Sequence, residues 1–173
     1  MIPELQQRFI LEANTPSDIN QHLPLMNILA KLCTHVTEFG VRWGNSATVW
    51  FNNPVVVRGY DIREFEEATA IFTLARSLGR DCELIIADTG SLQSIEQTDL
   101  LFIDSLHTYE HVKKELEPIE QIKYLVDAVP LEGPYAHYSG SFEERMVWVI
   151  NTLEKAERHR RQRMDSHFNS KAV

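Results

Sequence analysis

Two glycines and an acid in one short segment are the residues of this chain best suited to ligand chemistry. The segment Thr37-Glu38-Phe39-Gly40-Val41-Arg42-Trp43-Gly44-Asn45-Ser46 follows an apolar run that ends at Val36. This order predicts a strand, a tight turn and a helix, because Gly40 and Gly44 permit positive φ and a close approach of ligand to backbone. Amides at the start of that helix can face a polar or anionic ligand group.

A second acid makes the turn more informative. Asp61 ends the run Pro54-Val55-Val56-Val57-Arg58-Gly59-Tyr60, which is typical of a buried parallel strand. A carboxylate at the tip of the second strand can bind both ribose hydroxyls of a nucleoside that lies over the glycine turn. The two features together predict a nucleoside-containing ligand.

Apolar strands that alternate with amphipathic helices would position these groups. Strands are expected at 35–38, 55–57, 82–87, 99–103 and 122–126. Helices are expected from Ile19 to Cys33 after the start signal Thr15-Pro16-Ser17-Asp18, at 46–51, at 64–78 before Gly79, around Val112 and Leu116, and at 142–160. This alternation predicts a parallel α/β sheet with right-handed crossovers. We expect one domain at 1–163, with helices at 1–34, and a flexible tail at 164–173.

Four predicted strands end in acids, namely Asp61, Asp88, Asp104 and Asp127. Ligands of open α/β sheets bind outside the carboxyl ends of the strands, so four acids at one edge indicate a site there. A single acid in this position can equally be the N-cap of the next helix.

Composition limits the function classes. The chain has 173 residues, 43% of them apolar, and a net charge of −8, which disfavours a general nucleic-acid binder. A basic cluster near the end is either a solvated helix terminus or a docking site for an acidic partner; it comprises Lys155, Arg158, His159, Arg160, Arg161 and Arg163.

Location follows from what the sequence lacks. No apolar run has the roughly 20 residues of a membrane span, and Met1-Ile2-Pro3-Glu4 is not the start of a signal peptide. We therefore expect a cytoplasmic protein without membrane contact. Cys33 and Cys82 have apolar neighbours and no metal-ligand spacing, so both are expected to be buried packing residues.

The ordered motifs from residue 23 to residue 129 resemble the class I S-adenosylmethionine-dependent methyltransferases. The segment Asp99-Leu100-Leu101-Phe102-Ile103-Asp104-Ser105-Leu106-His107-Thr108-Tyr109-Glu110 is similar to a signature of small bacterial and phage methyltransferases related to cephalosporin hydroxylases and sugar O-methyltransferases. The resemblance implies a Rossmann-like three-layer sandwich with about five mostly parallel strands in the order 3-2-1-4-5. The polar residues 164–173 imply that the usual final antiparallel hairpin is missing.

The resemblance also implies a site. Asp61 would bind the ribose and Asp88 would lie near the adenine amino group. The cofactor-binding set would be Glu38, Gly40, Arg42, Gly44, Ser46, Asp61, Ile62, Asp88, Thr89 and Asp104. Acids such as Glu38 or Asp104 would favour the cationic sulfonium. A nicotinamide cofactor is the alternative ligand, although its pyrophosphate favours a G-x-G-x-x-G loop that this chain lacks.

Two catalytic devices suit methyl transfer to a hydroxyl. His107 can act as the base, with Asp104 beside it, and Asp104 with Asp127 can hold Mg²⁺. His107 can instead cap or pack at the start of its helix. Asp127 lacks the preceding histidine of the similar proteins.

The sequence thus favours a methyltransferase that acts on a small hydroxylated, sugar-like molecule. A non-catalytic S-adenosylmethionine-binding module, or another enzyme with the same pocket, remains open. The exposed edge at the fifth strand can be covered by the 142–160 helix or by a second subunit, and we expect a homo-oligomer.

Overall fold

Five parallel strands form one sheet in the part of the chain that the structure describes. The computed structural model describes residues 2–106, 108–117 and 119, and the backbone of 124–127. The strands are β1 (His35–Phe39), β2 (Val56–Asp61), β3 (Cys82–Ile86), β4 (Leu100–Ile103) and β5 (Tyr124–Asp127). They pair in the order β3-β2-β1-β4-β5, with every neighbouring pair parallel. The predicted strand order is confirmed.

Among the described residues, five helices connect or precede the strands. They are α1 (Pro3–Asn14), α2 (Leu23–Ala30), α3 (Ala47–Phe51), α4 (Glu66–Ser77) and α5 (Tyr109–Leu116), and a 3-10 turn follows β3 at Thr89–Ser91. Gly79 has φ 84°, so it ends the α4 segment in the left-handed conformation that glycine adopts readily. No helix in the described part of the chain is long and apolar enough to cross a membrane.

Apolar side chains project from both faces of the sheet. On one face, Val36, Val57 and Leu100 join the core formed by helices α1 to α4. On the other face, Phe39, Leu101 and Ile103 pack with partly buried Val112 and Leu116 of α5. Alternate strand residues point to opposite faces, so these two clusters follow directly from the strand sequences. The predicted Rossmann-like sandwich is confirmed. Cys33 and Cys82 are both buried, as expected.

The predicted helix from Ile19 to Cys33 is wrong at its start. The chain bends at 15–22, and α2 begins at Leu23. The Ser17 amide donates to the Asn20 side chain, and the Asn20 amide donates to the Ser17 hydroxyl. These two hydrogen bonds form a local turn instead of a helix cap. Pro24 lies in the first turn of α2, where its missing N–H costs nothing, so the helix begins there.

Several predictions concern the C-terminal part. The 142–160 helix, the basic cluster, the missing hairpin, the exposed edge beyond β5 and the 164–173 tail all depend on residues 128–173. These lie outside the described residues and stay predictions.

Candidate functional site

The glycine turn after β1 is built from three residues with positive φ. Gly40, Arg42 and Gly44 have φ values of 85°, 50° and 84°. The Gly40 amide donates to the carbonyl of Tyr60 at 2.8 Å, which fixes the turn against β2. A Cβ on Gly40 would lie 2.3 Å from the carbonyl oxygen of Asp104. Glycine is therefore required here by backbone packing as well as by φ.

Asp61 faces this turn. Its Oδ2 accepts a hydrogen bond from the Arg42 amide at 2.7 Å, and its Oδ1 accepts from the Arg63 amide at 3.2 Å. The residue is 9% exposed. A carboxylate has about four acceptor positions, so two remain for further donors such as a diol. Ile62, the next residue, is 73% exposed at the same edge and offers an apolar surface to a ligand.

Glu38 lies inside the protein, beneath the turn. Its side chain is 0% exposed, and it accepts hydrogen bonds from the Ser46 hydroxyl and, at 2.9 Å, from Trp50 Nε1. Burial raises the pKa of Glu38 to about 8, and the negative charges of Asp104 and Asp61 add to the increase. The carboxyl is mostly protonated at neutral pH. It ties β1 to α3, and Asp104 is the better candidate to supply negative charge to a ligand.

Asp88 and Thr89 follow β3. Asp88 is exposed, and its Oδ1 accepts from the Gly90 amide at 3.0 Å, so it caps the Thr89–Ser91 turn. Thr89 is buried, at 6% exposure. The capping role that sequence left open for a strand-end acid is thus observed for Asp88. The exposed carboxylate still has acceptor positions for a ligand.

Asp104 and Asp127 end neighbouring strands. The Asp104 amide donates to the Phe39 carbonyl at 2.7 Å, beside the glycine turn. In the sheet, Ile103 of β4 pairs with Asp127 of β5. Asp104 is the residue after Ile103, so the two acids lie at the adjacent carboxyl ends of β4 and β5. His107 lies outside the described residues, as does the side chain of Asp127. Within the described ranges, no three metal-ligating side chains form a group.

Solved structures share the fold of this chain, although no match was found by sequence. No protein-family model matches the chain, and no curated protein matches it. Among solved structures, the methyltransferase domain of bacterial CtHen1-C matches with a TM-score of 0.56 at 15% identity, over 80% of this chain and 85% of that one. A putative O-methyltransferase from Klebsiella pneumoniae matches with a TM-score of 0.51 at 15% identity, over 88% and 76%.

The chain has a methyltransferase fold. At these identities the likeness concerns the fold and leaves the substrate undetermined. The SAH-bound methyltransferase PaMTH1 of Podospora anserina matches with a TM-score of 0.48 at 18% identity, over 68% of this chain. This chain spans only 57% of that protein's length.

One polar cluster of this methyltransferase fold was not anticipated from sequence. Glu115 of α5 is 0% exposed, and its Oε1 accepts from the hydroxyls of Thr89 and Ser105 and lies 3.1 Å from His111 Nε2. The sequence signal that could have indicated this cluster is the position of Glu115 on α5. Glu115 lies beside the apolar stripe of Val112, Leu116 and Ile119, where an acid is out of place on a purely structural helix.

A surface cavity of about 450 Å³ lies on another side of the same turn. It is lined by Trp43 and Gly44 of the turn, by α1 residues such as Arg8, and by Glu66 and Glu67 at the start of α4. None of the strand-end acids lines it. Of the candidate cofactor-binding residues, Gly44 lines this cavity, whereas Asp61, Asp88 and Asp104 do not.

Proposed function

We propose that this protein binds S-adenosylmethionine around Gly40 and Asp61 and transfers the methyl group to a small hydroxylated molecule, such as a sugar. The observation that carries the proposal is the Asp61 carboxylate, which is held by the Arg42 amide and keeps acceptor positions for a diol. The methyltransferase fold is consistent with this assignment. The hydroxylated acceptor rests on the sequence resemblance alone.

Different residues of the site bind the cofactor and remove the proton. Asp61 binds the ribose hydroxyls, while Ile62, Asp88 and Thr89 surround the adenine. Asp104, half-buried beside Gly40, favours the positive sulfur. The cofactor supplies a methyl carbon already activated by that sulfur, so the protein mainly aligns the acceptor and removes its proton. His107 takes the proton of the acceptor hydroxyl as the general base.

Mg²⁺ is a separate part of the proposal. Asp104 and Asp127 are its expected ligands, because their strand ends are adjacent in the sheet and carboxylates suit this cation. The assignments of Asp61, Asp104 and His107 do not depend on the metal.

Calorimetry with S-adenosylmethionine and S-adenosylhomocysteine tests the binding site. We expect wild type to bind both, and Asp61→Asn to weaken each by about 5- to 150-fold, because one charged acceptor of the diol is lost. Asp81→Asn is the matched control. Asp81 precedes β3 at the opposite edge of the sheet, where its exposed carboxylate contacts Arg58 at 2.9 Å. Folded wild type that binds neither compound would contradict the proposal.

A non-catalytic binding module is the second candidate. It is favoured by the internal partners of the acids, since Glu38 and Asp61 are both hydrogen-bonded to the protein without a ligand. Such a module would bind S-adenosylhomocysteine but transfer no methyl group from labelled cofactor in a broad screen of hydroxylated acceptors. Transfer to any acceptor would exclude it.

A further inference from the structure

One buried carboxylate on α5 accepts hydrogen bonds from hydroxyls of two segments that are distant in sequence. Glu115 is fully enclosed, and its Oε1 accepts from Thr89 Oγ1 and, at 2.6 Å, from Ser105 Oγ. The ring of His111, one turn earlier on α5, lies 3.1 Å from the same oxygen and 3.4 Å from the Thr89 hydroxyl. These four side chains are called the Glu115 cluster below.

The cluster joins segments that the sheet keeps apart. Thr89 follows β3 and Ser105 follows β4, and β2 and β1 lie between those strands. Three strand spacings correspond to about 14 Å, yet both hydroxyls bond one oxygen. The segment after β3 therefore approaches α5 over one face of the sheet, where Leu92 and Ile95 pack against the apolar cluster that includes Tyr60 of β2 and Phe39 of β1. These are the strands that carry Asp61 and the glycine turn.

The Thr89 segment and the Ser105 segment are each closely packed against their neighbours. A Cβ on Gly90 would lie 3.0 Å from His111 Cε1, so the segment after Thr89 rests directly on the imidazole. On the other side, a Cβ on Gly40 would lie 2.7 Å from the Ser105 amide nitrogen. Ser105 thus connects the cluster to the backbone of the glycine turn.

Stability alone does not account for the acid. Glu115 Oε2 is buried and has no hydrogen-bond partner among the described residues. An unpaired buried carboxylate oxygen is costly, and an apolar side chain at this position of α5 would avoid that cost. The cost is understandable if the acid is needed to hold Thr89 and Ser105 in one arrangement.

We propose that Glu115 is a positioning residue that fixes the Thr89 and Ser105 segments around the adenosine part of the bound cofactor. This inference rests on the proposed function, because it concerns the same site. Glu115 acts through the two hydroxyls, and it has no contact of its own with the ligand.

The test compares Glu115→Gln with Glu117→Gln, a control at an exposed glutamate two residues further along the chain. Glutamine keeps the volume of Glu115 but replaces the carboxyl group that accepts from two hydroxyls with an amide. We expect S-adenosylhomocysteine to bind Glu115→Gln at least about tenfold more weakly, and amide exchange at 89–92 to accelerate about tenfold in the ligand-free protein. Exchange in β1 and β2 stays unchanged, and Glu117→Gln behaves as wild type.

Equal affinity and equal exchange in folded Glu115→Gln and wild type would overturn the inference, as would faster exchange with unchanged affinity, which indicates a purely structural role. If Glu115→Gln does not fold, Glu115→Met, which keeps a side chain of similar length and removes the acceptor oxygens, must give the same two effects. If wild type binds no S-adenosylhomocysteine, the proposed function fails. Exchange at 89–92 then still decides whether Glu115 holds the segment.

Discussion

Glu38 combines complete burial with a titratable group. Its carboxyl accepts from Ser46 and Trp50, and burial moves its pKa from 4.5 to about 8. Between these two pKa values the folded state holds a proton that the unfolded chain has released. Stability from this group is therefore full below about pH 4.5 and is lost as pH rises towards 8.

Glu38→Gln removes this titration and keeps the shape of the side chain. The maximum slope is about 1.4 kcal/mol per pH unit. We expect the free energy of unfolding of wild type, minus that of Glu38→Gln, to fall by about 1–3 kcal/mol between about pH 5.5 and about pH 7.5. Urea denaturation at both pH values measures it. A difference that is constant or rises with pH would contradict the raised pKa.

Some neighbours around the candidate site are predictable from sequence and others are not, for physical reasons. Asp61 and Gly40 were predictable as neighbours, because parallel strands bring their carboxyl ends to one edge. The enclosure of Glu38 was not, because it depends on Trp50 turning its indole N–H inward from α3. The Glu115 cluster depends on a segment that crosses two strands, and no local pattern records that path.

At the scale of elements, the glycine turn packs against the backbone of the residues directly after β4. Gly40 and Gly79 have nearly the same φ, 85° and 84°. A Cβ on Gly40 would overlap the Asp104 carbonyl, whereas a Cβ on Gly79 would meet nothing within 4 Å. Substitution of Gly79 therefore measures the free-energy cost of positive φ alone, whereas substitution of Gly40 adds the cost of the clash with the Asp104 backbone.

Gly79→Ala is expected to lower the free energy of unfolding by about 1 kcal/mol, the cost of positive φ alone. Gly40→Ala should lower it by at least about 2–3 kcal/mol, because the turn must also move away from the backbone directly after β4. Chemical denaturation of both variants measures the difference. Equal losses would mean that the turn and the residues directly after β4 are not in the close contact described.

Element order was predictable from sequence, while element ends were less so. Runs such as Val55-Val56-Val57 mark buried parallel strands, and βαβ connections then restrict the topology. The start of α2 was placed too early because Thr15-Pro16-Ser17-Asp18 has the composition of a helix start. The hydrogen bonds between Ser17 and Asn20 commit that segment to a turn instead.

At the scale of the whole molecule, the described part is a methyltransferase fold whose acids lie along one sheet edge. Net charge is −8, which is why we expect a small-molecule acceptor in preference to nucleic acid. A homo-oligomer, Mg²⁺ and a cytoplasmic location stay predictions. The acceptor itself was not predictable, because it is set by segments that vary among proteins of one fold.

A crystal structure with S-adenosylhomocysteine tests the central claim most directly. We predict density for the nucleoside over the Gly40–Gly44 turn, with both ribose hydroxyls within hydrogen-bond distance of the Asp61 carboxylate and the adenine near Ile62 and Thr89. A nucleoside bound elsewhere, or an Asp61 carboxylate that contacts only the Arg42 and Arg63 amides in crystals saturated with the ligand, would contradict the account.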